Sequence, residues 1–159
     1  MNLRRTIIVH TNLSGHVARL YAAKSGSHGV QIMTMARLAS RLAGGFLQPI
    51  DPDALQDAVR AALREADLGE FDSIKDLPGM ARAAVNTLDK IWRADIDLSS
   101  SDNPRLMALR ALESETLRRL PASMKRPKEL VELACAKHHH AAAVIGPVEI
   151  HGHSEMSPC

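Results

Sequence analysis

The chain has 159 residues, 45% of them hydrophobic and 24% charged, the mixture of a globular protein able to bury a core, and a single domain over residues 1–159 is expected. A formal net charge of +2 does not by itself diagnose nucleic-acid binding, and one Trp, one Tyr and two Phe leave little from which to assemble base-stacking platforms. No apolar run approaches the roughly 20 residues of a bilayer span, no signal-peptide pattern follows Arg4 and Arg5, and Cys135 and Cys159 stand far from any paired spacing, so a cytoplasmic protein with no membrane partner is expected.

The β-branched run from Thr6 to Thr11 reads as a strand. A helix follows, with Ser14 as its expected N-cap and Val17, Leu20 and Tyr21 on one face. Gly26 to Gly29 closes that helix, Val30 to Thr34 makes a second strand, and a helix carrying Leu38 and Leu42 stops at Gly44 and Gly45. Strands alternating with helices predict a parallel sheet with helices on its faces.

From Asp51 to about Ala142 every clear period is helical. Asp51 and Pro52 cap and open a helix with Leu55, Val59 and Leu63 on one face; Asp76 with Pro78 opens another that carries Leu77, Ala81, Ala84, Leu88 and Ile91 towards a core. Ala94 to Pro104 is a loop, after which helices present Leu106, Leu109, Leu112, Leu117 and Leu120, then Leu130, Val131 and Ala134. A third strand lies within Ala143 to Ile150 and begins near Val148, after Gly146 and Pro147. The expected fold class is α/β, a small parallel sheet with a large helical insertion, about residues 51–142, between its second and third strands.

Motifs for chemistry are sparse. The first strand-to-helix turn, Thr11-Asn12-Leu13-Ser14-Gly15-His16, has one glycine and no lysine, so it lacks the bare backbone and the cation that cradle a polyphosphate. No nucleophile elbow is present, and Glu113 and Glu115, two apart on a helix, read as solvated surface. No catalytic residues, cofactor or assured metal site are therefore assigned. His151, His153 and Glu155 alternate after the last strand and could offer two imidazoles and a carboxylate to Zn²⁺, with Cys135 and His139, four apart on one helical face, as further ligands; contiguous solvated histidines are the plainer reading. Arg37 and Arg41 lie four apart on the second helix, with Lys24 near the end of the first, and either bind phosphates or form a solvated face.

The order and wording of these segments resemble the N-terminal helicase-like region of the AddB-type subunit of bacterial helicase–nuclease complexes, DNA-repair proteins with a PD-(D/E)XK nuclease module. Ile7-Ile8-Val9-His10-Thr11 with Gly15-His16-Val17-Ala18-Arg19-Leu20 is similar to the family's first strand and helix. Ile32-Met33-Thr34-Met35-Ala36-Arg37-Leu38-Ala39-Ser40-Arg41-Leu42 is similar to its second strand, turn and Arg-Leu-Ala helix. Leu77-Pro78-Gly79-Met80 and Leu106 to Leu112 look like its helical insertion, and Val148-Glu149-Ile150-His151-Gly152 takes the place of a strand that usually ends near Asp-Gly-Phe. The family's Gly-Lys-Thr/Ser unit has no counterpart, so ATP binding is not implied, and a stop at Cys159 just after a strand leads us to expect a piece of a longer polypeptide.

The resemblance implies a P-loop or Rossmann-like helicase fold and a non-catalytic scaffold role in double-strand-break repair, contacting DNA through Thr34, Arg37 and Arg41 or docking a partner helicase subunit. The parent protein would be an ATP-dependent or metal-dependent DNA exonuclease. A small zinc-binding hydrolase or regulator using the C-terminal histidines, and a protein-interaction module using exposed leucines, are the alternatives.

Overall fold

A computed structural model describes residues 4–44 and 46–152. These form an α/β protein with seven α-helices and a three-stranded parallel sheet. In chain order the elements are β1 (Arg5–Val9), α1 (Asn12–Lys24), β2 (Val30–Thr34), α2 (Met35–Ala43), β3 (Gln48–Pro49), α3 (Pro52–Glu65), a 3-10 turn at Gly69–Ser73, α4 (Met80–Ala94), α5 (Pro104–Arg119), β4 (Met124–Lys125), α6 (Pro127–Ala136), a 3-10 turn at His138–His140, α7 (Ala141–Ile145) and β5 (Val148–His151). Among the described residues two compact units are distinguished, 4–49 with 129–152, and Ile50–Lys128. No helix among the described residues is long and apolar enough to cross a membrane.

The first unit holds the sheet, in the order β2-β1-β5. Arg5 to Val9 pair with Val30 to Thr34, and Thr6 to Val9 pair with Val148 to His151, in parallel on both sides. Parallel neighbours cannot be joined by a tight turn, which is why the 13 residues of α1 separate β1 from β2. In β1, Thr6, Ile7, Ile8 and Val9 are all buried, the signature of a central strand covered on both faces. Thr6 would bring an unpaired hydroxyl inside, but its Oγ1 donates to the Ile145 carbonyl at 2.7 Å.

Capping of α1 differs from expectation. Thr11, not Ser14, is the N-cap: its hydroxyl accepts from the Ser14 backbone N–H at 3.1 Å, and the Ser14 hydroxyl accepts from the Thr11 N–H at 3.0 Å. Ser14 sits one turn inside, in the reciprocal position of a capping box. Gly146 enters β5 with φ +64, and a Cβ there would lie 2.2 Å from the Arg4 carbonyl oxygen, so the approach of the two chain segments requires glycine.

The second unit is helical, with its own core of Leu55, Val59, Leu63, Leu88, Trp92 and Leu112 among others. In α3 the Asp51 carboxylate accepts from the N–H groups of Asp53 and Ala54, both at 3.1 Å, and Pro52 fills the first helical position, where a missing N–H costs nothing. The α3 residues Leu55, Ala58, Val59, Ala62 and Leu63 are buried along one stripe, and α3 packs against both α4 and α5. Asn103 and Pro104 repeat the same opening for α5, with the Asn103 side chain accepting from Arg105 N at 2.9 Å.

Three expectations for this unit are corrected. Leu77 lies outside α4, which starts at Met80 after Gly79 at φ 87, and Leu77 is exposed rather than core. Met124–Lys125 is a short extended segment where only helical periods are expected. Glu113 and Glu115 are not solvated surface. Glu113 is 15% exposed and accepts from Trp92 Nε1 at 2.6 Å and Arg126 Nη1 at 3.3 Å. Glu115 pairs with Arg119 and Arg118, whose hydrogen bonds hold its carboxyl below the usual range; Arg119 also reaches Glu65 at 2.7 Å.

Leu88 is fully buried, so Leu88→Ala should lower the unfolding free energy by about 2–5 kcal/mol, measured by urea denaturation followed at Trp92. Gly146→Ala should be at least as damaging, because both its φ and its backbone clash oppose any side chain; a variant with wild-type melting temperature would refute the close approach.

Candidate nucleic-acid interface

Helix α2 follows β2 without a loop. Thr34 ends the strand and, at φ −80 and ψ 164, is also the N-cap, its Oγ1 accepting from the Arg37 N–H at 3.4 Å. That distance is longer than the usual 2.7–3.2 Å or so, and the cap is correspondingly weak. Leu38, Ala39 and Leu42 are partly buried and Ala43 fully, leaving Arg37 and Arg41 on the exposed side, separated by about 6 Å of helix rise. Neither arginine is ion-paired among the described residues.

The other end of α2 is held from further along the chain. Gly44, at φ 75, ends the helix, and Lys137 Nζ donates to the Ala43 carbonyl at 2.6 Å, satisfying one of the terminal acceptors with a cation where the helix dipole is negative. Lys137 carries no weight in the sequence reading, because a pairing 94 residues away leaves no local signal. The N-terminal end, with its unpaired N–H groups and Arg37, is the electropositive end.

Register places Thr34 in a row with functional-looking neighbours. Val9 pairs with Thr34 on one side and His151 on the other, so the carboxyl ends of all three strands lie at one level. His151 Nε2 is 2.7 Å from Glu149 Oε1, and Arg5 is 3.8 Å from the other carboxylate oxygen. The hydrogen bond from His151, then the charge of that ring and of Arg5, holds the Glu149 carboxyl below its ordinary range. Ligands of open parallel sheets gather at this carboxyl edge.

Of the metal constellation, Cys135 and His139 are not brought onto the one helical face expected of them: helix α6 ends at Ala136, and His139 belongs to the separate 3-10 turn. His138 instead turns its Nδ1 to the Cys135 carbonyl at 2.8 Å. His153 and Glu155 lie outside the described residues, and among the described residues no group of three His, Cys, Asp or Glu side chains is placed to hold a metal ion.

An open groove of about 830 Å³ runs between α1 and the sheet, lined by Ile7, Val9, Leu13, Val17, Tyr21 and His151 among others. The α1 face expected to seek a core is exposed here, Leu13 at 73%, Val17 at 58% and Tyr21 at 75%. The four-residue spacing of this stripe is visible in the sequence; its lack of cover is not. Compared with family models, curated proteins and solved structures, the chain matches none of them.

Removing the Thr34 hydroxyl tests the junction. Thr34→Ala should destabilise the chain by about 0.5–1 kcal/mol, the low end for a cap because the bond is long, and Thr34→Ser should restore it, read from urea midpoints. Equal midpoints for all three proteins would show that the hydroxyl does not cap α2.

Proposed function

We propose that this chain is a non-catalytic scaffold domain of a cytoplasmic DNA-repair helicase–nuclease, with the sheet of a P-loop or Rossmann-like helicase domain and a helical insertion between its second and third strands. Its task is to hold DNA backbone, and its partners are single-stranded or duplex DNA ends and a helicase subunit. The observation that carries the reading is Arg37 and Arg41, exposed one turn apart on α2 without carboxylate partners among the described residues, on a helix whose positive end meets the carboxyl edge of the sheet.

The physical role of each residue follows from its place. Arg37 and Arg41 offer guanidinium forks that match phosphate oxygens, and neutralising phosphates releases counterions, so affinity comes without sequence readout. Thr34 contributes indirectly, since its hydroxyl already accepts from the Arg37 backbone and fixes the start of the helix that carries both arginines. Docking of the helicase subunit is supported by the exposed apolar stripe of α1.

Fluorescence anisotropy with labelled single-stranded and duplex DNA tests this. With two phosphate contacts, affinity should fall roughly tenfold between 50 and 200 mM salt. Arg37→Ala with Arg41→Ala should weaken binding at low salt and flatten the salt dependence. Binding that ignores salt, or is unchanged in the double variant, would remove DNA contact from α2.

A further inference from the structure

Strand β5 closes one side of the sheet with an edge that no described residue covers. All four of its residues are exposed, with Val148 at 46% and Ile150 at 49%. The Thr6 N–H donates to the Pro147 carbonyl at 2.8 Å, which sets the alternation of the ladder. The backbones of Pro147, Glu149 and His151 face β1, and the N–H and C=O of Val148 and Ile150 point outward, unpaired among the described residues. An unpaired edge that alternates apolar and polar side chains is a template for another strand.

We infer that this edge pairs with the β5 edge of a second copy of the chain, antiparallel about a two-fold axis through Ile150. The register follows from the residues. Centring on Ile150 makes it a hydrogen-bonded pair with itself across the axis, since its outward N–H and C=O are the groups such a pair exchanges. Each Glu149 then stands directly opposite the second copy's His151, in the non-hydrogen-bonded positions where side chains approach most closely, about 4.5 Å between Cα atoms.

Glu149 and His151 already touch within one chain at 2.7 Å. Two copies would therefore form a square of alternating carboxylates and imidazoles on one face, with Ile150 against Ile150 on the other. The neighbouring register, centred on Glu149, puts two carboxylates face to face and is disfavoured. A two-fold isologous contact needs one strand to complement itself, and Val-Glu-Ile-His does so in one register. This inference uses residues other than those of the DNA reading, on the edge opposite β2 and α2.

Sedimentation velocity of the full chain over a range of concentrations tests it. Wild type should show a reversible monomer–dimer equilibrium. Ile150→Pro removes the outward N–H, which an edge strand tolerates, together with the isoleucine side chain at the axis, and should weaken the dimer roughly thirtyfold or more through the two symmetric hydrogen bonds alone, with an unchanged circular dichroism spectrum. Glu149→Lys should weaken it as well, and Glu149→Lys with His151→Glu should restore it, because Lys and Glu then face each other across the axis. Leu13→Ser with Tyr21→Ser should leave the equilibrium alone. A wild type that stays monomeric at every concentration, an Ile150→Pro variant that dimerises like wild type, or a dimer lost only with the α1 substitutions, would each overturn the inference.

Discussion

Parallel pairing of β1 with both of its neighbours is the constraint from which the rest of the first unit follows. Parallel strands need a long crossover, so α1 must stand between β1 and β2, and the chain must leave the sheet at Thr34 and return to it at Val148. It also means that all three strands finish at the same edge. The buried Thr6 hydroxyl on the Ile145 carbonyl and the glycine-only approach of Gly146 to Arg4 fasten the returning segment to the centre of the sheet. Everything proposed for α2 depends on this alignment, because the helix begins at the last residue of β2 and inherits its position from the ladder.

Ion pairing occupies several arginines of the helical unit and Arg5 of the sheet unit. In the helical unit Arg105, Arg118, Arg119 and Arg126 each meet a carboxylate, and Arg119 is gripped from both Glu65 and Glu115 while only 16% exposed. Of these, Arg119 ties α5 to α3 through Glu65, while Arg118 meets Glu115 within its own helix. Trp92 and Arg126 converge on Glu113, so these three polar groups beside the core satisfy one another, whereas the buried Thr116 hydroxyl has no hydrogen-bond partner among the described residues. Arg37 and Arg41, like Arg64, Arg82 and Arg110, have no carboxylate partner among the described residues, so a phosphate on α2 would displace no existing ion pair.

How much of this could be read beforehand depends on whether the cause was local. β2 and α2 are legible because Val30, Ile32 and Thr34 are β-branched at alternate positions and Gly44 is a stop residue for the helix. The Asp51-Pro52 and Asn103-Pro104 openings are legible for the same reason. The α1 cap is not legible in this way, because Thr11 and Ser14 are both cap residues and only the geometry shows which one accepts from which. Glu113 and Lys137 are not legible because their partners come from other elements: burial and the Trp92 indole recruit Glu113, and the segment after α6 brings Lys137 to the end of α2, whereas Glu115 meets Arg118 and Arg119 of its own helix at local spacing. For the candidate interface, the residue types and their spacing on α2 were visible, but the common row of Thr34, Val9 and His151 exists only once the strands are in register.

The two proposed surfaces constrain one another geometrically. An antiparallel β5–β5 contact about an axis perpendicular to the sheet would reverse the strand direction of the second copy. The carboxyl edges of the two sheets would then face opposite ways, and with them the positive ends of the two α2 helices. Such a dimer could not lay both arginine pairs on one short stretch of duplex, so pairing through β5 gives no avidity for a single DNA end. It would instead present two equivalent contacts on opposite edges of one six-stranded sheet, each with the affinity of a monomer, and a DNA affinity that does not change across the dimerisation range is the physical consequence of that symmetry.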